Sequence, residues 1–490
     1  MLSLKKLEQL EYEKSQAKKI EKEIPYFITI VSLLAASGLG PYLILKKIRD
    51  VDLLPRIRIE CVKMLKKIDM LGIDPLTALN QAKDKSSSKA LGEFLSGYVS
   101  AIQSGGNIIN YLKSKMQSAF ERYENVEKQS VEKVSALVHA WLSGQIVVLA
   151  VFIVMSTMSS NPILGSAQPQ DQTTDSSSSY LMLLIAPIAS AIFLKVSQNM
   201  LRSNIPELEF KKILRYAIPS MATVTALIFT NVFPDMNIDA YLLGAGLIVA
   251  SFWPAINFKK INRLNMAAEA ATPQILRDIT EARKAGIGPE KCVIRACRRK
   301  DFGHFNSIAN SIGNKLEWGI PLNDIFTVLR TEIKNFQVLI SFRILFEVIS
   351  SGGGNVNTLD SLSDTSEKVY NIEKHKRDSL KPYVMVGFMI MAVTAFTTLM
   401  VISSFEHIEE QKRIGEENTV HKNLAQSPLF ETVSISVIMQ SWLAGLFIGK
   451  VTTGAYSGGF MYSILLVIIA IAAIAMVQFS IIDISAIMPS

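Results

Sequence analysis

Charge is the first scarcity in this chain of 490 residues: Asp, Glu, Lys and Arg together make up 19%, hydrophobic residues make up 49%, and mean hydropathy is +0.27. A soluble chain of this length carries about 25% charge and divides into several domains. The missing charge excludes that class, and the remaining charge is sorted into two polar blocks, separated and followed by apolar runs. Cysteine is scarce too. Cys61, Cys292 and Cys297 cannot build a disulfide framework, and Cys292 and Cys297 lack both Cys-x-x-Cys spacing and a common helical face. They read as small buried apolar residues. The five histidines (His139, His304, His375, His407, His421) are scattered without metal-ligand spacing, and no Ser-His-Asp arrangement follows from spacing. No metal, cofactor-binding or catalytic residue is expected.

Glycine-rich phosphate loops are missing as well. Gly445–Leu446–Phe447–Ile448–Gly449–Lys450 falls short of a P-loop by one intervening residue, has Val451 where Ser or Thr belongs, and lies in an apolar run. Gly352–Gly353–Gly354 invites a phosphate reading, but a twin at Gly105–Gly106 favours a structural turn. A secretory signal is not visible: the N-terminus mixes Lys5, Lys6, Glu8, Glu11, Glu13 and Lys14 without a short apolar core, so the first spanning helix is expected to direct insertion.

Long apolar runs are what the chain has in excess. A bilayer core takes about 20 apolar helical residues. Seven segments meet that length to different degrees, near Ala136–Met158, Tyr180–Met200, Tyr216–Phe233, Asp239–Ile256, Pro382–Ser404, Ser434–Lys450 and Phe460–Ile482. An eighth, Ile24–Leu45, is interrupted by Pro25 and by Gly38–Leu39–Gly40–Pro41 and reads as two buried or interfacial helices. No charge sits at the centre of a span; Lys195, His139 and Lys450 lie toward the ends, where they can snorkel. Basic residues sort the loops: 159–179 has none, 201–215 holds Arg202, Lys211, Lys212 and Arg215, and Lys259, Lys260 and Arg263 follow the fourth span. The positive-inside rule then puts the N-terminus and both polar blocks in the cytoplasm, and 159–179, 405–432 and the C-terminus outside. The net charge of +8 is what this topology produces, and no nucleic-acid partner is expected.

The polar blocks repeat each other. Pro25 and Gly38–Leu39–Gly40–Pro41 match Pro273 and Gly286–Ile287–Gly288–Pro289 at an offset of 248. Ser104–Gly105–Gly106 matches Ser351–Gly352–Gly353 at 247, and Asn125–Val126–Glu127–Lys128 matches Asn371–Ile372–Glu373–Lys374 at 246. Apolar spacing inside each block is helical: Ile57, Cys61, Met64, Leu65 and Ile68 recur on one face, as do Val338, Leu339, Phe342, Leu345, Phe346 and Ile349. The expected fold is all-α and polytopic, with two homologous helical bundles on the cytoplasmic side and about seven spans. Its parts are 1–135 (charged helix and first bundle), 136–257 (about four spans), 258–381 (second bundle) and 382–490 (about three spans).

Two such bundles, each with a Pro helix start, a Gly-x-Gly-Pro turn (Gly38, Gly40, Pro41; Gly286, Gly288, Pro289) and a Ser-Gly-Gly turn (Ser104, Gly105, Gly106; Ser351, Gly352, Gly353), resemble the type II secretion system F family. The membrane block 136–256 between the repeats is more similar to archaeal platform proteins of pili and archaella. The resemblance implies a non-enzymatic platform in the cell membrane beneath a growing filament. Its implied partners are a hexameric secretion ATPase, pilin or archaellin subunits and membrane lipid, and a homodimer fits the axis of such a machine. Pilus assembly leads; the archaellum motor is an alternative within the class, and a transporter or permease is the rival from another class. The sharpest partner surface is Lys291, Arg295, Arg298, Arg299 and Lys300, of which Lys291, Arg295 and Arg298–Arg299 are spaced to share one helical face; ATPase contact stands there against a solvated or lipid-facing surface.

Overall fold

The computed structural model describes residues 2–160, 187–197, 239–299, 301–414 and 428–478. Every element among them is helical. The first repeat consists of α1 (Leu2–Ala36), α2 (Pro41–Arg49), α3 (Pro55–Leu71), α4 (Pro75–Lys85), α5 (Lys89–Gln103) and α6 (Ile108–Ser160). A short apolar helix α7 (Pro187–Ser197) follows. The second repeat consists of α8 (Asp239–Lys284), α9 (Pro289–Arg299), α10 (Asn306–Glu317), α11 (Leu322–Glu332), α12 (Phe336–Ser350) and α13 (Val356–Ile414), and the chain continues through α14 (Pro428–Thr453) and α15 (Gly459–Gln478). Six helices thus recur in the same order.

Two compact units emerge. One joins 1–129 to 261–375, and the other joins 130–260 to 376–490. Their boundaries fall inside α6, α8 and α13, the three long helices.

In the first unit both repeats share one core. Phe27, Ile30, Leu34, Ile48, Leu54 and Cys61 of the first repeat are buried with Ile275, Ile279, Val293, Phe305, Phe342 and Leu345 of the second. Neither repeat closes its own apolar face, which is the usual economy of a duplicated helical array. The N-termini of the short helices are capped locally. Asp74 Oδ2 accepts from the amides of Leu76 and Thr77, Ser88 Oγ accepts from Leu91, and Asn335 Oδ1 accepts from Gln337 and Val338. For α3 the cap comes from another helix: the Glu23 carboxylate on α1 accepts from the amides of Arg56 and Ile57 at 3.0 and 2.8 Å.

Pro25 and Pro273 do not start helices. Each lies inside a continuous one, α1 and α8 respectively. An internal proline forfeits one backbone bond and costs roughly 3 kcal/mol. Burial of Ile24, Phe27, Ile28, Ile30, Val31 and Leu34 on α1, and of Ala271, Ile275, Leu276 and Ile279 on α8, offsets that cost. The break expected in Ile24–Leu45 therefore occurs only at the glycine turn.

The second unit holds the apolar helices. Five described helices are long and apolar enough to cross a membrane, covering Ile108–Val154, Asp239–Lys284, Val356–Val401, Val433–Thr453 and Tyr456–Gln478. They overlap five of the seven expected spans. Of Tyr180–Met200 only α7 is described, and Tyr216–Phe233 lies outside the described residues. The near-P-loop is mid-helix in α14. A Cβ on Gly445 would fall 2.3 Å from Ser463 Cα, and one on Gly449 2.0 Å from Gly459 Cα. The pair is a small-xxx-small seam that lets α14 and α15 touch backbone to backbone. Close packing there also explains why Lys450 does not snorkel: it is 1% exposed, with its ammonium 4.5 Å from the Tyr456 ring centroid.

Candidate functional site: the duplicated unit and its basic groove

The two Gly-x-Gly-Pro turns are superimposable in their bonding. Gly38 N–H donates to Ala35 O and Leu39 N–H to Leu34 O; Gly286 N–H donates to Arg283 O and Ile287 N–H to Ala282 O. Each is a Schellman motif, with φ of 86° at Gly38 and 85° at Gly286. Gly40 then precedes Pro41, the first residue of α2, and Gly288 precedes Pro289 at the start of α9, where a missing N–H costs nothing. The Ser-Gly-Gly turns correspond too. Ser104 Oγ donates to Ser100 O and Ser351 Oγ to Glu347 O, at 2.8 and 2.7 Å, and Gly105 and Gly352 are both left-handed. Asn107 and Asn355 then cap α6 and α13, accepting from the amides of Asn110 and Thr358. These twin caps were missed by sequence reasoning, because one extra residue, Gly354, shifts their offset to 248.

In the second repeat these turns meet. Arg283 Nε donates to Gly354 O at 2.8 Å and its Nη1 to Ile287 O at 2.9 Å. Gly353 lies against Ser37 of the first repeat, and a Cβ there would fall 2.4 Å from Ser37 Oγ and 2.7 Å from Val348 O. The turn at Gly105–Gly106 has no such neighbour: Gly106 meets nothing beyond its own turn and Gly105 faces open space.

Two polar clusters inside the unit also escaped sequence reasoning. In one, Arg343 and Glu347 of α12, with side chains 10% and 7% exposed, form an ion pair at 3.2 Å. Lys47 of α2 reaches Glu347 at 2.8 Å, while Arg343 donates to Asn323 Oδ1 and to the Asp50 carbonyl. In the other, Tyr26 O–H donates to Gln337 Oε1 at 2.6 Å, Gln337 Nε2 donates to Tyr123 O–H, and Tyr123 O–H donates to Glu373 Oε1. Burial pushes the Tyr26 phenol above its ordinary range, so it stays a neutral donor. Both clusters join the repeats. The signal for the first was present: an Arg and a Glu four apart in an otherwise apolar helix can only be buried as a pair.

The basic residues gather on one groove. Lys291, Arg295, Arg298 and Arg299 of α9 line it with Glu290, Ile294, Leu316 and Glu317, and the space measures about 740 Å³. Arg298 donates to Glu317 and Asn314 at 2.6 Å each; Arg299 donates to Asp278 at 3.1 Å and Glu281 at 3.4 Å. Lys291 and Arg295 are exposed, with no ion-pair partner among the described residues. Lys300 lies outside the described residues. The opposite face of α9 is core: Cys292, Val293, Ala296 and Cys297 are buried, and burial pushes the Cys297 thiol up to about 12. All three cysteines are free and buried. No cluster of three or more His, Cys, Asp or Glu is placed to hold a metal among the described residues.

An all-helical chain built from a tandem six-helix repeat, each repeat ending in a helix long and apolar enough to cross a membrane, defines a duplicated membrane-associated helical protein. Comparison with known proteins places it more closely. The family described as type II secretion system (T2SS), protein F, matches residues 27–158 and again 275–403, more than half of the chain, and the two matches coincide with the two repeats. The chain belongs to the type II secretion system F family. It is also similar to an uncharacterised protein of Methanocaldococcus jannaschii, 20% identical over 493 residues, covering 93% of this chain and 79% of the relative. No solved structure matches.

Proposed function

We infer that this chain is a non-enzymatic platform in the cytoplasmic membrane for assembly of an archaeal type IV pilus-like filament. The observation that carries the reading is the tandem family match on two repeats that fold as one helical unit. Proteins of this family generally work with secretion ATPases and pilin-like subunits, and are inner-membrane proteins. The archaeal source of the relative supports the archaeal assignment. The loop charges orient the repeats toward the cytoplasm, where a shared core can receive force as one body and pass it along α6, α8 and α13. The basic groove on α9 is the surface assigned to the ATPase.

Affinity purification of the full chain from native membranes under gentle extraction tests this. Recovery of a hexameric ATPase supports the platform. Its absence, together with substrate flux in vesicles holding the purified chain, overturns it in favour of a transporter. Co-purifying pilins or archaellins distinguish the pilus from the archaellum.

A further inference from the structure

The groove between α9 and α10 carries less free charge than its composition suggests. Arg298 is engaged by Glu317, and Arg299 by Asp278 and Glu281. Among the described residues, what remains is Lys291 and Arg295, one helical turn apart, beside Glu290. A duplex nucleic acid presents one charge per ~1.7 Å and an anionic bilayer recruits clusters of about 4–8 cations. Two cations in a concave groove rimmed by carboxylates match neither; they match one or two carboxylates. Apolar surface lies alongside. Leu316 is buried in the wall, Ile294 is half-buried, and Trp318, next after Glu317, is 75% exposed.

The fold contains its own precedent for what such a position binds. Pro41 and Pro289 open twin helices, so Lys47 of α2 stands where Arg295 stands on α9. Lys47 docks on Glu347 of the apolar helix α12 at 2.8 Å. Arg295 has the cation without the acidic helix. The α12 of a second copy does not supply one, because it is already enclosed, and α5, the twin of α12, carries Ser96 and Ser100 in place of Arg343 and Glu347.

We propose that this groove receives an amphipathic helix of a partner protein, which presents one or two carboxylates to Lys291 and Arg295 and apolar side chains to Ile294, Leu316 and Trp318. The charge contact is of the kind Lys47 of α2 makes with Glu347 of α12. The proposal rests on the platform reading for the presence of a protein partner on this unit, and goes beyond it in naming the chemistry of the contacting element.

A photo-crosslinking residue placed at Trp318 in the full-length chain, in native membranes, tests it by mass spectrometry of the adduct. The expected adduct is a peptide of helical apolar periodicity with Asp or Glu three or four residues apart. Lys291→Glu with Arg295→Glu reduces its yield by ~10-fold or more, the loss of one good charge contact, while Lys291→Arg retains it. Both side chains are exposed, and Lys291→Gln with Arg295→Gln provides the milder variant should reversal lower the membrane level of the chain. A lipid adduct, a peptide without acidic residues, no adduct, or a yield indifferent to either double variant overturns the proposal. ATPase recovery with the unsubstituted chain is read separately, so the groove can fail while the platform stands.

Discussion

Helix α5 and its twin α12 occupy the same place in the two repeats, yet they are different kinds of helix. α5 buries one face, through Leu91, Phe94, Leu95, Tyr98 and Val99. α12 is buried from Gln337 to Ile349 except at Ser341, including Arg343 and Glu347. A helix apolar on all sides belongs at the centre of a bundle. Duplication supplies two copies of one amphipathic plan, but a shared core has one middle. Ser96 and Ser100 suit the outer copy, whereas the Arg343–Glu347 pair, joined by Lys47, gives the inner copy its fixed attachment to the first repeat. The turns differ in the same sense: the second repeat's Ser-Gly-Gly turn is locked against Ser37 and Arg283, and the first repeat's turn faces open space.

The largest test of this asymmetry is Glu347→Ala. It leaves Arg343 buried with its charge uncompensated, and the cost is ~3–5 kcal/mol. The twin change Ser100→Ala costs less than about 0.5 kcal/mol. Thermal unfolding of the detergent-solubilised chain reads both, and equal losses would break the comparison. Next is Gly353→Ala, whose Cβ meets Ser37 Oγ and the Val348 carbonyl. Overpacking of this kind costs ~1–3 kcal/mol, whereas Gly106→Ala is neutral to within about 0.5 kcal/mol. The Gly-x-Gly-Pro turns should show no asymmetry. Gly38→Ala and Gly286→Ala each place a Cβ at a left-handed φ, so both cost about 1–2 kcal/mol, and a large difference between them would show that the turns are not equivalent. The smallest effect is chemical. Cys297 is buried with its thiol pushed up to about 12, so at pH 8 only ~10⁻⁴ of it is thiolate. Maleimide labelling in the native chain should therefore be negligible at Cys297 and at the equally buried Cys61, and rapid labelling of either would mean that its repeat opens locally.

The helical class, the duplication and the paired turns were legible because each leaves a local mark: 3.6-residue apolar spacing, and glycine where φ must be positive. Pro25 and Pro273 misled for the same reason. A proline is a local signal, and here apolar burial along α1 and α8 outweighs it. Gly445 and Gly449 looked like a failed phosphate loop because their partners, Ser463 and Gly459, are close only after α14 and α15 pack. The basic cluster of α9 was legible as a shared face. Its division into engaged Arg298 and Arg299 and open Lys291 and Arg295 was not, because Asp278, Glu281 and Glu317 come from other helices. Likewise Lys47 and Glu347 are 300 residues apart, and nothing local joins them.

Hydrogen exchange on the full-length chain, resolved to the peptides of α5 and α12, tests the central claim that the second repeat supplies the middle of a single shared core. The account predicts that amides of Val338–Ile349 exchange at least ~100-fold more slowly than those of Leu91–Ile102, because they open only with the whole unit. Equal protection of the two helices, or slower exchange in α5, would contradict it and show two repeats that each stand on their own.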